Sequence, residues 1–551
     1  MSSAIDLPPR TKRIIVIGAL LGLLLAASNQ TVISTALPRI VSDLGGLNLL
    51  SWVFTGYMLT STIIVPVSGK LSDLYGRKPF FMGGIVIFML ASVAGGFCQN
   101  IEQLIVVRAV QGLGGGMLLS SVFAIVGDMF APEERGRYQG VFISMFGVAS
   151  ILGPTMGGTI TDYLSWRGIF YMNLPFGIVA MAMVGPSFPR LERQAGKAEI
   201  DYPGVALLTS LLVCLLLALA WAGDVYAWGS IEIVGLLSAA GFLFVALLFV
   251  EAHVTEPIVP LHLFKNRVFA VGSLLTFLSG ISLMGVLVFM PMFLQGVLGA
   301  SATSSGLVLS PMMIAVVVAS NAGGLLVSRT GRYRSFIVTG SLAMLGGMFV
   351  LTRFTVDTGW LEAIAGMALV GFGIGLAVPV INLAVQNAFP RRYLGVATSS
   401  SQFFRSIGST LGVAIFGTLV VTSIQANIDR NLPAEVTDAA SPQLIQQLHE
   451  PDVILSTHGR ASLERGFVDL GADGQGLYDE TLRAIETSLT DAVTDVWVVG
   501  FLVAALALGL SVLVPERPRH TEWAEDAVVS SERQTPPAAT FDVAPQPGPA
   551  E

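Results

Sequence analysis

Charge is what this sequence has least of. Lys, Arg, Asp and Glu make up 12% of its 551 residues, about half the roughly 25% of an ordinary soluble domain, which excludes a soluble enzyme with a normally hydrated surface. Cysteine is nearly absent. Cys98 and Cys214 are the only two, each in or at the end of an apolar block, so neither a disulfide framework nor a Cys/His metal site can be assembled. Histidine is sparse, and His449 and His458 share no ligand pattern. Excess positive charge is missing too, and no nucleic-acid partner is expected: the net charge is −7, which would suggest a basic partner were it not that residues 423–490, with eleven acids and four Lys/Arg, account for it. That stretch is one solvated acidic segment.

What the chain has instead is apolar residues, 53% of the total, gathered into blocks of the length a helix needs to cross the hydrocarbon of a bilayer, about 20 residues. We read fourteen spans: 14–36, 50–70, 80–99, 103–127, 138–161, 170–189, 203–222, 230–250, 268–298, 304–327, 335–354, 361–386, 394–422 and 491–514. The first follows Arg10, Lys12 and Arg13 as a signal peptide would, but it is too long and lacks a small-residue cleavage site. Positive charge tests the parity. The amino terminus and alternate loops hold most of the Lys and Arg, including Lys70, Arg77, Lys78, Arg329, Arg332 and Arg334, while the opposite short loops hold Arg39, Arg167 and Arg353. Both termini are therefore expected in the cytoplasm and segment 423–490 outside, with short helices near 441–449 and 477–489. Residues 515–551, rich in Pro, Ala and charge, are expected to be a disordered tail. Trp52, Trp166, Trp228 and Trp360 read as interfacial anchors.

The spans group as six, two and six: a first bundle over 1–189, a linker with two extra spans over 190–267, and a second bundle over 268–514. A weak echo links the bundles. Gly69-Lys-Leu-Ser-Asp73 followed by Gly76-Arg77-Lys78 has a counterpart in Gly323-Gly-Leu-Leu-Val-Ser-Arg329 followed by Gly331-Arg332. Such corresponding features mark transporters built from repeats, with the substrate site between the halves near the midplane.

Three segments then resemble one family. Gly69 to Lys78 is similar to the loop signature between the second and third spans of the major facilitator superfamily. Leu104-Ile-Val-Val-Arg108-Ala-Val-Gln111-Gly112 resembles its fourth-span signature. Gly140, Gly153-Pro154 and Gly157-Gly158 resemble its fifth-span antiporter signature, with Ala149 where glycine is usual. Trp166-Arg167, Asn173-Leu-Pro175, Asp201-Tyr-Pro-Gly204 and the run from Glu256 to Phe264 are similar to the fourteen-span drug:proton antiporter branch. The resemblance implies an all-α polytopic membrane protein of the major facilitator fold, with two six-helix bundles and two additional central helices. It implies a plasma-membrane (bacterial inner-membrane) exporter of hydrophobic or amphipathic, often cationic, compounds, working by alternating access and coupled to protons. No cofactor or metal is expected, and the chain is expected to act as a monomer in the lipid bilayer.

Residue roles follow. Asp73, Arg77 and Lys78 are the implied conformational latch; for the basic pair, topology alone is a sufficient reason. Gly153, Pro154, Gly157 and Gly158 form the expected hinge, since Pro removes a helix hydrogen bond and Gly permits close packing. Arg108 and Arg405 are intramembrane charges, which by default face a polar cavity or a partner; snorkelling to the interface is the other reading for Arg108. At Asn29 the branch usually carries an aspartate implicated in proton coupling, and an amide does not exchange a proton near neutral pH. Gln30, Tyr57, Gln111, Phe289, Phe293, Gln295, Asn382 and Gln386 are the candidate cavity residues. Glycine-rich Gly112 to Gly116 lacks the Lys-Ser/Thr of a phosphate loop, and Gly371-Phe-Gly373-Ile-Gly375 lies in a span without dinucleotide-site context. Two other readings stand at this point: a lipid or glycolipid exporter, which Arg405 and the two extra helices would suit, and a non-transporting receptor or scaffold using the outer segment.

Overall fold

Buried backbone in a bilayer must satisfy its own hydrogen bonds, which leaves helices for a chain of this pattern. A computed structural model describes residues 8–44, 50–130, 132–188, 201–222, 225–254, 257, 261–298, 309–390, 393–432, 436, 463–467 and 474–515. Its helices are α1 (Pro9–Leu44), α2 (Leu50–Tyr75), α3 (Arg77–Gly95), α4 (Ile101–Met129), α5 (Pro132–Tyr163), α6 (Gly168–Tyr171), α7 (Asn173–Ser187), α8 (Tyr202–Trp221), α9 (Ile231–His253), α10 (Arg267–Leu287), α11 (Phe289–Gly296), α12 (Ser310–Thr330), α13 (Tyr333–Leu351), α14 (Trp360–Asn387), α15 (Leu394–Asn431) and α16 (Gly474–Ser511). There is no strand among the described residues. Thirteen helical stretches, α6–α7 and α10–α11 each acting as one, are long and apolar enough to cross a membrane. The fourteenth is α5: 32 residues long but less apolar, because Gly, Ser and Thr recur along it.

Helices α1 to α7 pack among themselves, as do α10 to α16, and the two sets are arranged alike. In each, the fourth helix is the hub, and alternating glycines make it so. A Cβ at Gly112 or Gly116 would run into the α2 backbone at Tyr57 or Ser61, and one at Gly114 into α3 at Gly84 and Phe88. On α14, Gly371 and Gly375 meet the α12 backbone at Met312 and Val316 while Gly373 meets α13 at Gly340 and Met344. Both glycine runs that fail as nucleotide motifs are thus one packing device used twice. Small residues let the helix backbones approach where no hydrophobic driving force acts between apolar helices in lipid. The loop echo also holds: Gly76 (φ 95°) and Gly331 (φ 65°) are the two positive-φ residues among those described, each at the turn after the second helix of its set, where a side chain would be strained.

The sets meet along two symmetric seams, α2 with α15 and α5 with α12. Gly69 lies on Ser399 of α15, and its counterpart Gly324 lies on the carbonyl of Gly136 in α5. Helices α8 and α9 pack on each other, and α8 packs against α2 and α15, in an apolar cluster that includes Ile63, Leu208, Leu212, Leu247 and Phe403.

The outer segment differs from expectation. The helix expected at 477–489 is present but is continuous with the last span in one helix from Gly474, and α15 continues to Asn431 beyond 422. These extensions pack on each other: Asn431 donates to Ser488 Oγ at 3.1 Å, and Ile424, Ile428, Ile485 and Leu489 are buried. Hydropathy misses them because their apolar residues form only a stripe at helical spacing. The expected helix at 441–449, the connector 190–200 and the tail from 516 lie outside the described residues. Trp166 is another correction: it is 1% exposed because it packs in an apolar cluster with Ile169 and Phe170, its indole N–H donating to Asp43 at 2.9 Å, so it packs rather than anchors.

Gly324→Val is expected to force α12 off α5, at a cost of about 1–3 kcal/mol for overpacking. A lowered melting temperature of the purified protein in detergent checks this; an unchanged one would mean the seam is loose.

Candidate functional site

Lys and Arg collect at the end of the bundle where α2 ends and α15 begins, and there the charges are organised. The first turn of a helix leaves backbone N–H groups without intrahelical acceptors, and Tyr393 at the start of α15 provides no side-chain cap. Asp73, at the end of α2, supplies it from the other half: its Oδ2 accepts from the Val396 N–H at 2.8 Å. A carboxylate is favoured there because the N-terminal end of a helix is partially positive. Arg77 pairs with Asp73, and its Nε donates to Asp128 at the end of α4 at 2.8 Å. Gly395 leaves the room, since a Cβ there would strike the Asp73 carboxylate and the Arg77 guanidinium. Lys78 is not part of the cluster; it donates to the Phe188 carbonyl at 3.2 Å, because α3 starts beside the end of α7.

Two further cross-links sit at the same end. Arg135 of α5 donates to Asn387 Oδ1 of α14 at 2.8 Å, and Asn387 donates on to the Tyr333 hydroxyl. Gln386 donates to the Phe123 carbonyl of α4 at 3.1 Å, so it fastens the halves together rather than simply lining a cavity. Near mid-height, Asn321 of α12 donates to Ser144 of α5. Sequence reading missed Asp128, Arg135, Asn387 and Gly395. Their signal was an acid, a base or a glycine at a helix end, which topology alone would also produce.

A second cluster lies within the first half. Arg108 on α4 is fully buried. It donates to the Val53 carbonyl at 3.2 Å, to Gln111 Oε1 at 2.7 Å and to Asn29 Oδ1, and its guanidinium lies 4.5 Å from the centre of the Tyr57 ring. Gln111 passes the chain to Ser92, which also accepts from Asn173; Tyr57 donates to the Ala26 carbonyl. Snorkelling is thereby excluded for Arg108, since its head group points into the bundle. Among the described residues each of these partners is neutral, and Nη2 has no hydrogen-bond partner. A central arginine is costly in a bilayer, about 2.5–3.5 kcal/mol on insertion scales, and here carbonyl dipoles and a π face offset the cost without a counter-ion.

Arg405 sits eleven residues into α15 with its guanidinium 5.3 Å from the centre of the Phe146 ring on α5. Asn382 accepts from Ser401 at 3.4 Å. Two of the candidate cavity residues are packed instead: Phe293 is fully buried against Phe354 and Trp497, and Phe289 is 5% exposed against Phe416. The cause is the break between α10 and α11, which turns this short helix onto α16. Helix α5 runs unbroken through the expected hinge, where Gly153 and Gly157 are buried. The surroundings of Pro154, Gly158, Gln30 and Gln295 lie outside the described residues.

Gln111→Leu would remove an acceptor from Arg108 and a donor from Ser92. An expected loss of about 1–3 kcal/mol should appear as a lower melting temperature, whereas an unshifted melt would show that the network is not structural.

Comparison with known proteins fits this architecture. Residues 19–413 match the family described as Major Facilitator Superfamily. The multidrug transporter protein MdtP of Bacillus subtilis is 36% identical over 533 residues, covering 94% of this chain and 95% of its own. Multidrug resistance protein 3 of the same organism is 36% identical over 496 residues, covering 90% and 93%. Among solved structures, the human organic anion transporter MFSD10 aligns with a TM-score of 0.57 at 14% identity over 90% of this chain and 100% of its own. The proton:xylose symporter XylE aligns with a TM-score of 0.56, also at 14% identity, over 94% and 98%; at such identity these two show the fold alone. With its repeated hub helices, its two symmetric seams and full-length relatives named as transporters, this chain belongs to the major facilitator superfamily and is a multi-pass membrane transporter.

Proposed function

We propose that the protein exports hydrophobic or amphipathic compounds across the plasma membrane of a bacterium by alternating access, with both termini in the cytoplasm and energy from the proton gradient. The observation that carries this reading is where the halves are fastened. The bonds Asp73 to Val396, Arg135 to Asn387, Gln386 to Phe123 and Asn321 to Ser144 all lie between the basic end and about mid-height, since Ser144 is some 18 Å along α5 at 1.5 Å per residue. Positive charge marks that end as cytoplasmic, so the fastened state is shut towards the cytoplasm. Its bonds are polar contacts between separate helices, which break and remake more readily than a packed apolar core. The names of the relatives support drug-like cargo. Asn29 removes the usual proton-carrying acid, so the carboxylates in contact with the fastening, Asp73 and Asp128, are the proton carriers in this reading.

In a Cys98→Ala, Cys214→Ala background, Arg135→Cys with Asn387→Cys bridged by a short bis-methanethiosulfonate is expected to stop proton-gradient-driven movement of an amphipathic dye in proteoliposomes, and dithiothreitol to restore it. Undiminished transport by the bridged protein would contradict alternating access. Transport unaffected by the gradient would contradict proton coupling.

A further inference from the structure

The middle of this transporter carries positive charge that no ion pair among the described residues answers. The two arginines within the spans, Arg108 and Arg405, differ in situation: Arg108 is sealed inside one half, whereas Arg405 is half-buried and reaches from α15 towards α5. Helices α5 and α15 do not pack along their length, and the cation–π contact of Arg405 with Phe146 crosses the space between them. That contact leaves the guanidinium N–H groups, which point outward in the ring plane of the head group, free of any hydrogen bond or ion pair among the described residues. A guanidinium presents a flat fork of donors that matches carboxylate, sulfonate and phosphate oxygens.

The surroundings complete a polar seam. On α15, Gln402 stands one turn from Arg405 and hence on the same side of the helix; it is 3% exposed and its Nε2 has no partner. On α5, Gln139 stands two turns before Phe146; it is fully buried and neither its Oε1 nor its Nε2 has a partner. Unpartnered buried amides are rare in folded proteins, and these two stand on the two helices that Arg405 and Phe146 bridge, each at helical spacing from its end of that contact. Among the described carboxylates, Asp73 and Asp128 lie at the basic end and Asp43 at the other; Asp491 and Asp495 lie midway along α16, and Asp495 accepts from Ser423, which is 18 residues beyond Arg405 on α15. A cation entering this seam would meet Arg405 and no carboxylate.

We infer that Arg405, with Gln402 and Gln139, is the recognition site for the head group of an amphipathic anion, a carboxylate, sulfonate or phosphate on an apolar body, and that such anions rather than lipophilic cations are the cargo. This rests on the export reading and sets the substrate class for it. An inside-negative membrane potential drives an anion outward, so a central proton-carrying acid at Asn29 is not required for its expulsion.

The test uses the full chain in phosphatidylcholine proteoliposomes, with fluorescein as the aromatic anion and ethidium as the cation, against protein-free vesicles. Fluorescein transport by the wild type is expected to exceed ethidium transport. Arg405→Gln should lower it at least about tenfold, the loss expected for one charge-assisted hydrogen bond, and Arg405→Lys should retain part of it. Arg405→Glu should shift preference towards ethidium, a reversal that simple misfolding would not produce. Added phosphatidylglycerol that inhibits fluorescein transport would identify anionic lipid head groups as the natural source; no inhibition would identify soluble anions. Ethidium moved in preference to fluorescein, or fluorescein transport indifferent to Arg405→Gln, would overturn the anion site and leave export standing. Movement of neither probe would overturn both.

Discussion

The conformation of this transporter depends on a helix cap supplied across a domain boundary. Helix α15 begins without a side-chain cap of its own, and the carboxylate of Asp73 from the other half binds its Val396 N–H. Arg77 ties the same carboxylate to Asp128, so the ends of α2 and α4 and the start of α15 share one buried charge cluster. Within it the residues are interdependent: Gly395 must be glycine for the carboxylate to reach, and Gly69 must be glycine for α2 to lie on α15 at Ser399. The opposite seam has the same close approach at Gly324 and Gly136, but where Asp73 stands in the first seam it has Ser328, which bonds within its own helix. The two halves are alike in packing and unlike in charge. That difference confines the carboxylate cap to one side of the basic end, while Arg135 with Asn387 and Asn321 with Ser144 fasten the other side through neutral partners.

Much of the architecture is legible in the residues. Apolar blocks and the placement of Lys and Arg yield the spans, and the paired loops around Gly76 and Gly331 appear as the two positive-φ turns. The glycine runs at 112–116 and 371–375 carry more information than composition reveals, because their alternation assigns each glycine to one of two neighbouring helices. What hydropathy does not encode is direction. It cannot tell that Phe293 turns onto Trp497 instead of a cavity, nor that α15 runs on past 422 and packs on the helix expected at 477–489 through one buried stripe. Nor does it distinguish Asp128, a partner of Arg77, from any other acid at a helix end. Such facts belong to three-dimensional packing, and two helices must be placed before either one's face is defined.

The intramembrane charges follow the same division. Arg108 and Asn29 are visible in the sequence as an arginine and a missing acid; the structure joins them in one network of neutral acceptors with Gln111 and Val53. The guanidinium is thereby held by dipoles in place of a counter-ion, and the half is structurally complete without a proton to exchange at that point. Arg405 has no such enclosure: it is half-buried, with its guanidinium over the Phe146 ring of the other half.

The cap in trans is the central claim, and amide hydrogen exchange at the start of α15 tests it most directly. Peptides covering residues 394–398 should be protected in the wild-type protein and exchange markedly faster in Asp73→Ala, while peptides from the middle of α14 stay unchanged. Equal protection at the start of α15 in both proteins would show that this helix end is held by its own half, and the account of the fastening would fail.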